Sequence, residues 1–271
     1  MSAPLRLQAL VLPVGSVPPV EKLYRWSLGM KPAEEGEGWL GWGSEDRIRL
    51  VDAPAALAAG LPEPEEAVVL RMPGMPLPEA AAWLAGRELA PVAAAVPPAD
   101  EAAARDAWPG TAIERVESPE LANRVIVSVR GPTPPRIDLF FPVPRETVVA
   151  RGGMGPFLWR SGDRKGLEIP GLLGVTTGTP GPAAQRDFLT RLGLTEMEPG
   201  GPLAIGDHQW VVEERDPPGI YGWAAAVSDA KVKDLARTMG HLGAEHRLDG
   251  NRLVAADPAG RVILVHGVRS A

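Results

Sequence analysis

The sequence predicts an α+β protein of four repeated βαβββ units, paired into two cupped mixed β-sheets with the helices on the convex side. The order strand, helix, strand, strand recurs four times along the 271 residues. Four helical segments end alike, with a leucine followed within two residues by a glycine, and these leucines are Leu28, Leu84, Leu192 and Leu242. One supersecondary unit recurring at a regular interval indicates a repeat.

Each predicted helix has a single apolar face. The clearest is the fourth, where apolar residues recur at helical spacing over Val232, Leu235, Ala236, Met239 and Leu242. Glycine readily adopts the left-handed conformation that closes a helix, which explains the shared Leu-Gly ends. A helix with one apolar face must bury it against another layer, so we expect the helices to cover one face of each sheet.

Strand-like segments surround these helices and define the domains. Each unit begins with one, at 7–14, 68–72, 171–177 and 222–227, and two more follow each helix. We predict a first domain over residues 1–145, a linker over 146–170 and a second domain over 171–271. An Ala/Pro-rich insertion near 91–110 interrupts the second unit, and a short helix is predicted at 99–108.

Composition excludes several classes of function. The chain has no cysteine, so disulfides, thiolate metal sites and cysteine nucleophiles are ruled out. A net charge of −6 without a Lys/Arg-rich run argues against nucleic-acid binding. We find no signal-peptide pattern and no apolar run of membrane-spanning length. We therefore expect a cytoplasmic protein, monomer or homodimer, that binds a small molecule and has no membrane or nucleic-acid partner.

Several segments resemble the vicinal oxygen chelate superfamily of glyoxalases, extradiol dioxygenases and bleomycin-resistance proteins. Residues 216–266 resemble the second unit of such a domain, with a helix ending in Leu242-Gly243 and the turn Asp257-Pro258-Ala259-Gly260 before the last strand. Residues 16–30 and 182–194 resemble the first helix of the family. The resemblance implies a tandem-domain member in which paired units surround a cavity.

The resemblance also implies where a divalent metal would bind. The expected ligand positions lie on the first strand of each unit and on the last strand of the second, near Ala9, near Ala67 and at Asp138, and again near Leu173, near Gly222 and at Leu264. Only Asp138 is a plausible ligand, and no histidine precedes His208. We therefore predict no cofactor. The alternative is a divalent metal at a displaced site in the second half, formed by His208, His266 and Glu213.

Ligand-binding candidates come from tryptophan and charged strand residues. The chain has eight tryptophans against four phenylalanines and two tyrosines, and indoles supply large apolar contact areas. Trp210 and Trp223 lie on different predicted strands and are expected to flank a pocket; Trp39 is the candidate in the first half. Arg49 and Arg71 lie on predicted strands, and each either binds an anionic ligand or lies on the solvent face of the sheet. Asp138 is a further candidate, and no catalytic residue is identified.

These observations predict a metal-independent small-molecule-binding protein similar to bleomycin-resistance-type members, with an unknown ligand. The alternative is a metal-dependent lyase, isomerase or dioxygenase of the same superfamily that uses the displaced site. A third possibility is a structural or regulatory protein that has lost the activity.

Overall fold

The computed structural model describes residues 5–32, 38–42, 46–72, 75–116, 124–142 and 171–268. Within these ranges the chain forms two mixed sheets, of nine and eight strands, with six α-helices. The predicted α+β fold of repeated units is confirmed. The predicted linker at 146–170 lies outside the described residues, and the domain boundaries remain a prediction.

The first sheet is built from two units. The first unit contains β1 (Arg6–Val14), α1 (Val17–Leu28), β2 (Lys31–Pro32), β3 (Trp39–Trp42), β4 (Asp46–Asp52) and the short α2 (Ala53–Ala58). The second unit contains β5 (Ala67–Arg71), α3 (Leu77–Ala85), β6 (Pro91–Val96), a 3-10 turn (Pro98–Asp100), α4 (Glu101–Ala107), β7 (Ala112–Arg115), β8 (Arg124–Val129) and β9 (Arg136–Pro142).

The second sheet repeats this plan. Its first unit contains β10 (Gly171–Thr179), α5 (Pro182–Arg191), β11 (Thr195–Glu196), β12 (Leu203–Ile205) and β13 (His208–Glu214). Its second unit contains β14 (Gly219–Ser228), α6 (Asp229–His241), β15 (His246–Asp249), β16 (Arg252–Ala256) and β17 (Val262–Val268). Searched over the described ranges, no helix is both long and apolar enough to cross a membrane.

The two sheets share one topology. Their strand orders are β2-β3-β4-β1-β5-β9-β8-β6-β7 and β11-β12-β13-β10-β14-β17-β16-β15. In each sheet the first strands of the two units pair antiparallel at the centre, and each first strand runs parallel to the last strand of its own unit. A register shift interrupts the central pairing after Leu7 in one sheet and after Leu172 in the other. The repeat therefore extends to strand register.

Alternation along the strands gives each sheet one face that carries the helices and one that does not, which we call the open face. Leu10, Leu12, Ile48 and Leu50 lie on the helix-bearing face of the first sheet and are buried in the core. On the second sheet, the predicted apolar face of α6 packs against strands β14 to β17, with Val232 and Met239 fully buried. Buried residues of both sheets form one continuous core.

Two local expectations differ from the structure. The Ala/Pro-rich segment near 91–110 contributes strand β6, which pairs with β7 and β8, as well as the predicted short helix. Gly29, Gly193 and Gly243 are left-handed, as expected, but Gly86 after α3 has φ −64°, and Glu88 instead takes φ 56°. The turn after α3 therefore places its left-handed residue two positions later than the Leu-Gly pattern predicts.

A buried polar contact joins the two sheets through Tyr24 on α1. Its hydroxyl donates to Asp257 Oδ2 at 2.8 Å, and Trp223 Nε1 donates to the same hydroxyl at 3.3 Å. The rings of Tyr24 and Trp223 lie edge to face at 5.4 Å between centroids, and Trp42 is 5.9 Å from Trp223. Burial, followed by the negative charge of Asp257, raises the pKa of Tyr24 well above its usual value of 10.0.

A second polar contact lies beside the first. The Arg261 guanidinium donates to the carbonyl oxygen of Pro13 at 2.8 Å and to Glu66 Oε1 at 2.9 Å. The other carboxylate oxygen of Glu66 accepts the backbone N–H of Ile220. Residues of one sheet thus form hydrogen bonds with charged and backbone groups of the other sheet. These bonds require a defined orientation between the two sheets.

We expect Tyr24→Phe to lower the free energy of unfolding at pH 7 by about 1–3 kcal/mol, because it leaves the buried Asp257 carboxylate without one donor. Since the folded-state pKa of Tyr24 is raised, its stabilising contribution is present below pH 10 and is lost as pH rises further. The difference between wild type and variant should therefore shrink above pH 10 in urea denaturation followed by circular dichroism.

Tyr221→Phe is the matched control, because Tyr221 is the only other tyrosine and its hydroxyl donates to the Pro217 carbonyl oxygen at an exposed position. We expect Tyr221→Phe to lower the free energy of unfolding by less than Tyr24→Phe does, because the hydrogen bond that it removes is exposed. Equal behaviour of the two variants would contradict the assigned role of Tyr24.

Candidate ligand-binding site

The open face of the first sheet has an apolar floor at its centre. Ala9 and Val11 on β1 lie opposite Val69 and Ala67 on β5, and all four point away from the helices. Both alanines are buried and both valines are half-buried. Because these four side chains are small, they leave space above the floor. Longer side chains on the neighbouring strands surround that space.

Trp39 and Arg49 form one wall of this face. They are cross-strand partners on β3 and β4, and Arg49 in turn lies beside Val11. The Arg49 guanidinium carbon sits 5.6 Å from the centroid of the Trp39 ring. Arg49 is exposed and Trp39 is half-buried. Two sequence-predicted ligand residues are thus in contact, with an indole face and guanidinium donors next to the floor.

Arginines surround the floor on its other sides as well. The pairing places five on this face, namely Arg6, Arg47, Arg49, Arg71 and Arg136. Arg6 and Arg71 are direct cross-strand partners, and Arg47 is the partner of Ala9. Arg6, Arg47 and Arg71 each also interact with other residues of the chain.

Asp138 shares this face but is already engaged. Arg136 donates to its two oxygens at 2.9 and 3.0 Å, and Ser128 donates at 2.7 Å. Burial lowers the pKa of Arg136, but the hydrogen bond and charge of Asp138 and the charge of Glu65 outweigh it and raise the pKa above its usual value. Four strand spacings, about 19 Å, separate Asp138 from the strand of Trp39. The structure does not bring these two candidates together.

The positions that the resemblance assigns to a metal do not supply a ligand set. Strand pairing aligns Ala9, Val69 and Asp138 across the first open face, and Gly174, Ala224 and Leu264 across the second. Asp138 is the sole side chain with a metal-binding atom in either row. A Cβ at Gly174 would collide with the backbone carbonyl of Gln209, so that position admits no ligand side chain. We derive no catalytic step through a metal at these positions.

The structure does not bring together the three residues of the displaced metal site. His208 lies on the helix-bearing face and is 1% exposed, whereas His266 lies on the open face. Glu213 pairs with Gly178, which pairs with Gly219, whereas His266 pairs with Ala226. Glu213 and His266 are therefore about 20 Å apart along the strand direction, too far for ligands that must approach one ion to about 2 Å. No group of three His, Cys, Asp or Glu within the described ranges is arranged to hold a metal.

Trp210 and Trp223 do not line a pocket. They are 0% and 2% exposed and lie on the helix-bearing face. Trp210 Nε1 donates to Thr177 Oγ1 at 2.8 Å within the core, and Trp223 packs against Tyr24 between the sheets. Neither indole therefore reaches the open face of the second sheet.

The second open face differs from the first in its chemistry. Its central residues are small or apolar: Gly174, Thr176, Gly222, Ala224, Val254, Val262 and Leu264. Polar groups lie beside them, including His266 and its cross-strand partner Arg252. Partial burial, followed by the positive charge of Arg252, lowers the pKa of His266 below 6.5. This face offers apolar area but few charged groups that could orient a ligand.

One cavity lies on the helix-bearing side of the first sheet. It has a volume of about 330 Å³ and is lined by residues of α3, α4 and the loops that flank them: Ala81, Ala85, Leu89, Ala90, Pro91, Ala107, Trp108, Pro109, Gly110 and Thr111. Its hydroxyl, Thr111 Oγ1, donates to the Pro91 carbonyl oxygen at 3.3 Å. Without a charged lining residue, this cavity offers little to select a ligand.

Three arginines of the first open face were not among the sequence candidates: Arg6, Arg47 and Arg136. A signal for one of them was present, because Arg47 and Arg49 are two residues apart on a strand and must share a face. The pairing of Arg6 with Arg71 depends on strand register across units and could not be read from spacing alone.

Comparisons with known proteins agree with this architecture. No family model matches the chain, and no curated protein matches it in sequence. Among solved structures, the 2,3-dioxygenase LapB from Pseudomonas sp. KL28 is similar, with a TM-score of 0.57 at 15% identity, covering 100% of this chain and 95% of that one. A catechol 2,3-dioxygenase gives 0.60 at 14%, covering 100% and 90%. The Mn(II)-bound glyoxalase from Novosphingobium aromaticivorans gives 0.57 at 11%, covering 100% and 84%.

These neighbours correct one prediction. The expectation that the protein has no cofactor is contradicted by these neighbours, one of which is a glyoxalase with bound Mn(II). The comparisons also give no support to a specific likeness to bleomycin-resistance proteins. At these identities the comparisons establish the fold: the chain has the two-domain vicinal oxygen chelate fold of extradiol dioxygenases and glyoxalases.

Proposed function

We propose that this protein binds a small molecule with a planar or apolar part on the open face of its first sheet. The observation that carries the proposal is the contact between Trp39 and Arg49 beside the floor of Ala9, Val11, Ala67 and Val69. An indole face, a guanidinium and small apolar side chains provide both contact area and oriented donors, which small-molecule sites combine.

The surroundings of Trp39 support this assignment over the other tryptophans. Trp210 and Trp223 are buried, with their indole N–H groups bonded inside the protein. Trp42 is also buried, and its Nε1 donates to the Leu28 carbonyl oxygen at 2.7 Å. Trp39 lies on the opposite face of β3 from Trp42 and is half-buried, so a ligand on the open face can reach its ring.

We expect Trp39→Leu to weaken binding of the neutral fluorescent probe phenylnaphthylamine about tenfold. The variant removes roughly 60 Å² of apolar contact at about 25 cal/mol per Å², or about 1.5 kcal/mol. Fluorescence titration of the probe measures the change, and circular dichroism verifies the fold of each variant.

Trp26→Leu is the matched control, because Trp26 is 71% exposed on α1, away from the open face. This variant should bind the probe like wild type. If Trp39→Leu leaves the dissociation constant unchanged, the probe binds elsewhere and this site assignment is wrong.

A divalent-metal enzyme is the second candidate, and the Mn(II)-bound glyoxalase among the structural neighbours favours it. Neither aligned row of open-face positions nor the set of His208, His266 and Glu213 provides its ligands. Under this candidate, the metal would need a donor set outside those positions.

For this candidate we expect His266→Gln and Glu213→Gln to retain the metal content of wild-type protein grown with Mn and Fe supplements, measured by elemental analysis. The two side chains lie about 20 Å apart along the strands, so neither completes a site with the other. Loss of one equivalent of metal in both variants would show that they share a site after all.

A further inference from the structure

We propose that the cavity between α3 and α4 binds a small, uncharged molecule with an apolar body and one hydrogen-bond acceptor, such as a carbonyl oxygen. The observation that carries the proposal is the indole of Trp108, which lines this cavity and whose buried Nε1 has no hydrogen-bond partner among the described residues. The cavity lies on the helix-bearing side of the first sheet, so this site is separate from the open face and does not depend on the proposed function.

The cavity is formed by a segment that the repeat does not require. In the fourth unit, β15 and β16 are joined by the two-residue turn of Gly250 and Asn251. The corresponding strands of the second unit, β6 and β8, are separated by residues 97–123, which include α4 and β7. Helix α4 packs on α3, and the cavity lies where the two helices and their flanking loops meet. The cavity is therefore a feature of this insertion and not of the shared fold.

Trp108 differs from the other buried tryptophans of the described chain. Trp42, Trp210 and Trp223 each donate their indole N–H to an oxygen inside the protein. Trp108 is 5% exposed, and its N–H meets no acceptor within the described ranges. An indole N–H is a donor only, and buried donors are nearly always paired. Because an unpaired buried donor is unfavourable, a ligand that brings an acceptor to Trp108 is stabilised at this position.

The lining of the cavity determines which ligands fit. Alanine, leucine and proline side chains surround Trp108, together with the hydroxyl of Thr111 and the backbone of Gly110. The described lining residues carry no charge, so a charged ligand group would lose part of its hydration here without gaining an ion partner. The volume of about 330 Å³ is near the lower end of the range for small-molecule sites, about 300–1,000 Å³. The ligand is therefore compact and neutral, and a single hydrogen bond selects it only modestly.

Binding requires a small side-chain movement. Nε1 of Trp108 is itself covered by neighbouring atoms, whereas Ala85 and Pro109 at the rim of the cavity are exposed. A ligand enters from this exposed rim, and a rotation of the indole then brings Nε1 to the ligand acceptor. Side-chain adjustments of this kind are common at binding sites whose backbone stays fixed.

Acetophenone and α-methylstyrene test the hydrogen bond, because they share one shape and differ in a carbonyl oxygen against a methylene group. Each tryptophan of isotope-labelled protein gives its own indole N–H resonance in NMR spectra, and the resonance that disappears in Trp108→Phe belongs to Trp108. We expect acetophenone to move this resonance downfield until it saturates, and α-methylstyrene to cause no downfield change. The resonances of Trp42, Trp210 and Trp223 should stay in place, since their N–H groups are already bonded.

Ala85→Leu and Ala82→Leu are a matched pair of variants on α3. Both residues are exposed, but Ala85 lines the cavity and Ala82 does not. We expect Ala85→Leu to raise the dissociation constant of acetophenone about fivefold, because the leucine displaces roughly 40 Å² of apolar ligand contact. Ala82→Leu should bind acetophenone like wild type. Neither substitution touches the core, so this pair tests the site even if Trp108→Phe does not fold.

The results also separate this cavity from the site on the first open face. If acetophenone moves the indole resonance of Trp39, identified with Trp39→Leu, but not that of Trp108, the proposed function stands and this inference is wrong. If the Trp108 resonance moves and that of Trp39 does not, the inference stands and the proposed site fails. Equal affinity of Ala85→Leu and Ala82→Leu for acetophenone, or the same downfield change with both compounds, would overturn the inference.

Discussion

The buried contact between Tyr24 and Asp257 fixes α1 of the first sheet against the turn before β17 of the second sheet. Asp257 accepts the Tyr24 hydroxyl through one oxygen and the backbone N–H groups of Ala259 and Arg261 through the other. The same carboxylate therefore shapes the turn before β17 and anchors α1 of the other sheet. Because this contact is buried, removing either partner leaves the other polar group without a hydrogen bond. The resulting loss in the free energy of unfolding is larger than the net contribution of one hydrogen bond.

Aromatic packing completes this junction and accounts for the burial of Trp42 and Trp223. Trp42 and Trp223 pack 5.9 Å apart between centroids, and Tyr24 lies against Trp223. Each of their polar atoms has a partner inside the protein. The helix-bearing faces thus take up the large indoles, whereas the open faces keep small floors. Trp39 differs because its position on β3 turns it to the open face.

The two sheets keep one backbone plan but carry different chemistry on their open faces. Register places Ala9, Val69 and Asp138 in the first sheet where Gly174, Ala224 and Leu264 stand in the second. Around these rows the first face has five arginines, and the second has mostly small or apolar residues. A duplicated fold therefore supports unequal surfaces, since open-face residues contribute less to the core and vary without changing the strand pairing.

Local periodicity determined the four repeated units, the helix faces and most strands, because these follow from residue spacing along one segment. It also placed Arg49 and Trp39 on strands, but it did not decide which face of the sheet they occupy. Strand β6 escaped prediction, since its alanines have weak strand preference and pairing with β7 and β8 outweighs it. The separation of His208 from His266, the burial of Trp210 and Trp223, and the gathering of arginines around one floor were decided by tertiary structure alone. Each depends on which strands become neighbours and in what register, and that is set by contacts between residues distant in the chain.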